Sequence, residues 1–308
     1  MMKVAVTGAT GFVGSRLVQR LHDAGHQVKV FTRNPERARK VFPEAVFKQV
    51  EIVAYAPQES GGWQTKISGC DAVINLAGEA ISERWTPERK RAIMDSRAVG
   101  TDKLVEAIGQ AEVKPKVLIS ASAVGFYGTS ETAEFYETSE PIQQDFLSQV
   151  CQAWEQAADK VTAFGTRLVT VRIGIVLGTG GAIAKMLTPF RLYAGGPIGS
   201  GQQWFSWIHR DDLVSLLMQG LTNETMSGVY NGTAPHPVRM AELCDTLGKV
   251  MNRPSWLPVP DFVIETLLGD GAVVVLEGQK VLPERTQSTG FSYAYPKVET
   301  ALREIVVE

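Results

Sequence analysis

Val4-Ala5-Val6-Thr7-Gly8-Ala9-Thr10-Gly11-Phe12-Val13-Gly14, near the start of a chain of 308 residues, decides the fold. An apolar run leads into a glycine-rich turn, which opens an amphipathic stretch carrying Val13, Leu17 and Leu21. A second apolar run, Val28-Lys29-Val30-Phe31-Thr32, ends on Arg33. Strand, glycine turn, helix and strand in that length make one βαβ unit, the frame that grips a dinucleotide pyrophosphate. Gly8 lets the chain turn sharply off the strand, Gly11 leaves the helix N-terminus open to a pyrophosphate, and Gly14 lets the helix lie close to the sheet. Thr10, Phe12 and Val13 fill out the same turn and are expected to contact the cofactor. The spacing is GxxGxxG rather than GxGxxG, so the flanking strand and helix carry the assignment.

Arg33 selects the dinucleotide. A carboxylate at the end of the second strand would take the ribose hydroxyls of NAD, whereas an arginine there pairs with a 2′-phosphate. Thr32-Arg33-Asn34-Pro35 contains no acid, and Arg37, Arg39 and Lys40 follow, so NADP(H) is expected. The plainer alternative makes these cations the solvated face of a short helix beginning at Pro35, and for the last three it is preferred.

Outward from this unit, strands and helices alternate. Strands are expected at 46–52, 72–76, 116–120 and 168–173, with long helices at 87–108 and 144–164. This order implies an α/β fold: a doubly wound parallel (Rossmann) sheet with its ligand at the carboxyl ends of the strands. Past Gly178 the chain is punctuated by Gly180-Gly181, Gly195-Gly196-Pro197 and Gly199-Ser200-Gly201, and helices at 211–221, 240–251 and 261–268 suggest a smaller substrate lobe. The expected division is 1–178 for the nucleotide-binding domain and 179–308 for the lobe, with segments near 204–232 returning to the first.

Lys+Arg of 31 against Asp+Glu of 33 gives a net charge of −2, so no basic surface calls for nucleic acid. Cys70, Cys151 and Cys244 stand far apart with no CxxC, which points to a reducing compartment and away from a zinc site; no metal is expected. The apolar stretch 262–276 is interrupted by Glu265 and Asp270, so no transmembrane segment is expected, while peripheral membrane attachment stays open. The expected setting is cytoplasmic, or the plastid stroma for a plant homologue, and the expected assembly a monomer or homodimer.

Several landmarks together resemble the extended short-chain dehydrogenase/reductases. They are the glycine turn, Asn75-Leu76-Ala77-Gly78, Ser120-Ala121-Ser122 before Phe126-Tyr127-Gly128, and Ser206-Trp207-Ile208-His209-Arg210-Asp211-Asp212-Leu213. The tail, Leu276-Glu277-Gly278-Gln279-Lys280-Val281-Leu282-Pro283 with Gly290-Phe291 and Tyr295-Pro296, resembles more narrowly the atypical YfcH-like epimerase family with its own C-terminal domain, also described as a cell-division-inhibitor homologue in cyanobacteria and plastids. The resemblance covers nearly the whole chain. It implies a cofactor site of the turn with Arg33, Leu76, Ala77, Gly78, Arg97, Ser120, Cys151, Ile173 and Ile175, and a substrate site including Glu79, Trp85, Phe126, Tyr127 and Trp207.

Ordinary members use Ser, Tyr and Lys, with Tyr and Lys four apart on one helix: Tyr is the acid/base, and Lys holds the ribose and lowers the Tyr pKa. Here only Tyr293 has a lysine four residues on, Lys297, in a loop-like segment far too late in the chain. With Glu155 aligned to the acidic residue after the family motif, Leu147 takes the Tyr place and Cys151 the Lys place. Arg97 stands where the family has an Asn. The atypical subgroup shares these changes.

The surviving chemistry is sparse. Ser122 could donate to a carbonyl beside the nicotinamide, with Ser120 an open alternative. Cys151 near Arg97 is either a thiol of lowered pKa or, the preferred reading, a small buried hydrophobe. Tyr127 either replaces the missing acid or, again preferred, walls the pocket. Trp85, Trp204, Phe205 and Trp207 make an apolar pocket or lobe core. His209 reads as structural, with Asp211 capping the following helix. Two functions follow: an NADP(H)-dependent oxidoreductase or epimerase on an unknown small carbonyl or sugar-like substrate, and an NADPH-binding sensor linked to cell or plastid division.

Overall fold

Seven parallel strands form the central sheet of the computed structural model, which describes residues 1–307. They are β1 (Lys3–Thr7), β2 (Gln27–Thr32), β3 (Val50–Ala54), β4 (Ala72–Asn75), β5 (Val117–Ala123), β6 (Arg167–Ile173) and β7 (Gly228–Gly232), in the spatial order β3-β2-β1-β4-β5-β6-β7. The chain winds outward from β1 through β2 to β3, then returns to β4 and winds outward the other way. The strand order thus reverses between β1 and β4, and a crevice opens beyond their carboxyl ends, where open α/β sheets bind ligands.

Strand sequences such as Val4-Ala5-Val6 and Val73-Ile74 are continuously apolar because helices cover both faces. Helix α1 (Phe12–Asp23) buries Gly14, Leu17, Val18 and Leu21, a single stripe at helical spacing, against Val4, Val6, Val28 and Val30. Helix α2 (Pro35–Val41) is capped by Asn34, whose side chain accepts from the Arg37 amide, and it leaves Arg37, Arg39 and Lys40 in solvent. On the opposite face, α3 (Pro87–Gln110) and α4 (Phe146–Asp159) cover Ala5, Phe31, Val73 and Leu118. Thr86 and Asp145 cap these two helices through the amides of Arg89 and Ser148.

Past β6, the short strands Ile175–Leu177 and Trp207–His209 pair beyond the sheet; the first leads into helix α5 (Gly181–Arg191) and the second into the helix that starts at Arg210. A second, smaller core forms around Phe190, Trp207, Leu243, Leu247 and Leu302, joining α5 to α7 (Met240–Met251) and the C-terminal helix Val298–Val307. Between the two lobe segments, α6 (Arg210–Thr222) packs on α1, and β7 completes the sheet edge beside β6.

Several expected bounds move, among them those of β5, which runs on to Ala123, and of α4, which ends at Asp159. The third strand spans Val50–Ala54 rather than 46–52, because the chain turns at Pro43, leaves Val46 exposed, and sends Phe47 under Phe42 with ring centroids 5.2 Å apart. Helix α6 is capped by His209, not Asp211: a His209 ring nitrogen accepts from the Asp211 amide at 3.3 Å, and its other nitrogen meets Glu304 at 3.0 Å. Asp211 lies in the first turn, its carboxylate held by Arg16.

Candidate cofactor cleft and cavity

The glycine turn lies at the switch point, and two of its three glycines, Gly8 and Gly14, are needed for space. Gly8 has φ +66°, and a Cβ there would sit 2.5 Å from the Leu76 carbonyl at the end of β4. A Cβ on Gly14 would fall 2.2 Å from the Gly8 carbonyl, whereas one on Gly11 would sit 3.2 Å from that same atom, tight but without collision. Gly11 is the N-cap of α1 and offers no side-chain acceptor, so the first-turn amides of Phe12, Val13 and Gly14 await an anion. Thr10 stands between them, and the Phe12 ring is turned aside against Gly178 and Gly180, which leaves its backbone to the cradle. Below the turn, Thr7 donates to Asn75 at 2.7 Å and Asn75 donates to Thr101 at 2.9 Å; the Ala77 amide reaches the Thr7 hydroxyl at 3.3 Å. This buried network fixes β4's exit through Leu76, Ala77 and Gly78.

Arg33 projects into solvent at the end of β2 and bonds Glu79 at 2.6 Å. Glu79 also meets Arg89 at 3.3 Å, and Arg33 leads the causes that hold its carboxyl below the ordinary value. Glu79 therefore belongs to the basic corner beside β2 and does not line the cavity, contrary to its expected place on the substrate. Two arginines around one half-buried carboxylate, with an uncapped helix N-terminus in the same crevice, fit a dinucleotide bearing a 2′-phosphate.

From Val13 and Leu76 a cavity of about 1130 Å³ runs between the sheet and the lobe. Strand β4 ends its pairing at Asn75 opposite Ser120, while β5 continues to Ala123, so residues 121–123 overhang into the crevice. Ser122 lines the cavity. Ser120 lies deeper, fully buried, with its hydroxyl on the Ala121 carbonyl, so of the two serines left open it is Ser122 that lines the cavity. Leu147, Val150, Cys151 and Trp154 of α4 face Ser122, and Ile173 and Ile175 close the wall around Gly174.

Arg97 also lines the cavity, held by the carbonyls of Ile93 (3.1 Å) and Glu79 (3.0 Å), with its guanidinium 5.2 Å from the Trp154 ring centroid. Gly78 is glycine because a Cβ would lie 3.0 Å from that guanidinium. Burial pushes the Cys151 thiol up to about 12 and Glu155 adds to the shift; Arg97, Ser122 and the Ala123 backbone oppose it without offsetting it. Of the two readings of Cys151, the lowered thiol pKa is set aside: desolvation outweighs the nearby cation, and the side chain is buried, as the preferred reading has it.

Behind Ser122 stands a group that the sequence reading used only as an alignment landmark. Ser122 donates to Glu155 at 2.6 Å, and Arg172 of β6 clasps the same carboxylate with two bonds of 2.8 Å. The Arg172 guanidinium lies 3.3 Å from the Phe126 ring centroid. Burial works against its charge, but Glu155 more than offsets this. A single arginine inside the otherwise apolar strand Leu168-Val169-Thr170-Val171-Arg172-Ile173 was the available signal.

Four aromatic expectations are corrected as well. Tyr127 is fully buried, stacked on Phe135 at 5.2 Å, and its hydroxyl donates to Asn231 at 2.7 Å; burial raises its pKa, and it neither touches the cavity nor serves as its acid. Phe126 is occupied by Arg172. Trp207 is fully buried in the lobe core with its indole on the His236 carbonyl at 3.0 Å. Trp85 stands behind the wall, packed on Phe146, its indole on the Ile81 carbonyl. Trp204 and Phe205 do line the cavity.

The NAD dependent epimerase/dehydratase family profile matches residues 4–231, and a domain of unknown function, DUF1731, matches residues 259–305. The chain belongs to the NAD-dependent epimerase/dehydratase family. Within that family it is 52% identical over 308 residues to the chloroplastic SDR39U1 homolog of Arabidopsis thaliana, covering 99% of this chain and 87% of the relative. It is 37% identical to YfhF of Bacillus subtilis, covering 100% and 99%. The crystal structure of human SDR39U1 (isoform 2) with NADPH superposes with a TM-score of 0.88 at 38% identity, covering all of both chains. Among the described residues of this family member, no helix is long and apolar enough to cross a membrane, and no cluster of His, Cys, Asp and Glu could hold a metal.

Proposed function

We propose that the chain is an NADP(H)-dependent oxidoreductase acting on a small carbonyl compound. The observation that carries this reading is the continuity of the anion cradle at Gly8–Gly14 with a cavity whose wall, at the sheet's carboxyl edge, presents Ser122, Cys151 and Arg97 together. The glycine turn holds the pyrophosphate, Arg33 and Arg89 take the 2′-phosphate, and Ile173 and Ile175 back the nicotinamide. Bound NADPH supplies a hydride, which adds to the carbonyl carbon as the C=O π pair moves onto oxygen. Cys151 gives its proton to that oxygen. A thiol with a pKa of about 12 is acidic enough to protonate an alkoxide and, as thiolate, basic enough to recover a proton from water. Ser122, tied to Glu155 and Arg172, is a positioning residue that fixes the wall against which the carbonyl rests.

A second reading, an NADPH-binding sensor, is favoured by Leu147: the family's acid position carries an aliphatic side chain facing the cavity. The division-linked and plastid settings belong with it, as does peripheral attachment to a membrane. Absorbance at 340 nm with NADPH and a panel of aldehydes, ketones and quinones separates the two. Saturable oxidation is expected, lowered at least 100-fold in Cys151→Ala and partly restored in Cys151→Ser. Tight NADPH binding with no turnover on any carbonyl would replace the enzyme with the sensor.

A further inference from the structure

Beyond the cofactor end, the cavity is walled by Met186, Phe190, Ile198, Met240, Leu268 and Val274. Among the described residues lining the whole cavity, the charged ones are Arg97, Asp145 and Glu277, and each is already engaged. Arg97 is held at the cofactor end by two carbonyls. Asp145 caps α4 through the Ser148 amide at 2.9 Å, and Glu277 accepts from Thr129 at 2.5 Å. Arg239 and Lys280 stack on the Trp204 ring, outside the lining, where they bond the Glu131 carbonyl and the Glu134 carboxylate.

Among the described residues lining the lobe half of the cavity, Gln203 is the one with a buried polar side-chain atom left over. Its amide nitrogen donates to the carbonyls of Ile198 (2.9 Å) and Val275 (3.1 Å), which fixes the orientation of the amide and leaves its oxygen buried without a donor. The apolar character also continues outward. Helix α8 (Asp261–Leu268) buries none of its residues; it lends Ile264, Leu267 and Leu268 to the lining and exposes Phe262 to solvent. The neighbouring segments, joined by the Leu257 amide on the Gly195 carbonyl and the Val259 amide on the Pro197 carbonyl, expose Leu192, Tyr193 and Trp256.

We infer that the lobe half of this cavity takes an uncharged, mainly aliphatic carbonyl compound bearing at most one hydrogen-bond donor, for the Gln203 oxygen, and not a nucleoside-diphosphate sugar. The reason is electrostatic. A diphosphate buried here would face two carboxylates and no described cation, and an unpaired buried anion costs several kcal/mol. An alkyl chain would instead gain with every methylene it removes from water. The inference rests on the oxidoreductase reading only in making this ligand the hydride acceptor.

The test is calorimetry on the full chain loaded with NADP⁺, which cannot reduce a ketone, using 2-hexanone, 2-octanone, 2-decanone and UDP-glucose as probes. Affinity is expected to rise roughly tenfold for each two methylenes added, with no detectable heat from UDP-glucose. Val274→Asp, at a half-buried lining position, is expected to weaken 2-decanone at least tenfold with NADP⁺ affinity unchanged. If that variant also loses NADP⁺, the chain-length series on the unaltered protein decides alone. Flat affinities along the series, no ketone binding at all, or UDP-glucose binding more tightly than 2-decanone would overturn the inference. Ketones that bind in the expected order but leave NADPH unoxidised would sink the oxidoreductase reading and leave the ligand class standing.

Discussion

Arg33 and Glu79 meet at 2.6 Å at the end of β2, and in the proposed reading a 2′-phosphate competes with that carboxylate for the guanidinium. The Arg33 side chain is 68% exposed, and an exposed ion pair is worth about 0–1 kcal/mol, whereas a phosphate offers a doubly charged partner worth about 2 kcal/mol to a charge-assisted bond. The phosphate should therefore displace the carboxylate. Arg33→Ala is expected to weaken NADPH by about 2 kcal/mol, roughly 30-fold, and Glu79→Gln to tighten it a few-fold. Neither should move NADH, and calorimetry with both cofactors reads the difference; equal losses for NADPH and NADH would return Arg33 to the fold. The place of Arg33 at the end of the second strand was legible from the βαβ pattern, and the calorimetry decides between a phosphate partner and a solvated helix face. The surroundings of Tyr127 and Trp207 were not legible, since an aromatic residue outside a periodic pattern reads equally well as pocket wall or as core. What decides is Asn231 for the one and the His236 carbonyl for the other, both distant in sequence. For Cys151 the sequence placed a cation nearby but could not weigh it against desolvation, so two readings stayed open, and burial favours the preferred one, a small buried side chain.

The glycine turn is the element whose local sequence determines both fold and binding, and its residues separate the two. Gly11 has extended backbone, φ −80° and ψ 178°, open to any residue, with room for a Cβ at 3.2 Å from the Gly8 carbonyl. Gly14 has none, since its Cβ would lie 2.2 Å from that carbonyl. Gly11→Val is thus expected to abolish dinucleotide binding while leaving the unfolding midpoint near that of the native chain. Gly14→Ala should cost roughly 1–3 kcal/mol as α1 is pushed off the sheet. Thermal unfolding beside NADPH titration checks the pair, and retained binding in Gly11→Val would remove the turn as phosphate cradle. Long elements with strong periodicity, α1 and α7 among them, were legible for the same reason that the turn was: their signal is local. The two- and three-residue strands of the lobe have no period to read, and α6 was misassigned at its cap because His209 and Asp211 are both capable of accepting an amide.

At the scale of the molecule, the return of α6 to the sheet joins the nucleotide half to the lobe, and one ion pair holds that return in place. Arg16 of α1 grips Asp211 of α6 with bonds of 2.9 and 2.7 Å, both residues partly shielded. The bond to Arg16 is the leading cause that holds the Asp211 carboxyl below its ordinary value, with burial opposing and the charges of Arg16, Arg210 and His209 assisting. A carboxyl whose folded pKa is depressed stabilises the fold fully above its unfolded pKa of about 4 and loses that contribution as pH falls through the folded value. Asp211→Asn keeps the size of the side chain and removes the charge from both Arg16 and the first turn of α6. It should cost about 1 kcal/mol at pH 7, the upper end for a partly exposed pair. Urea unfolding of the native chain and the variant, run at pH 7 and again at pH 3, should show the gap between them narrowing at the lower pH, because protonation of Asp211 does in the native chain what the substitution does in the variant. A gap of equal size at both pH values would mean that the Asp211 carboxyl acts through shape and hydrogen bonding alone, and that the join between α1 and α6 is held by the apolar contacts beneath it.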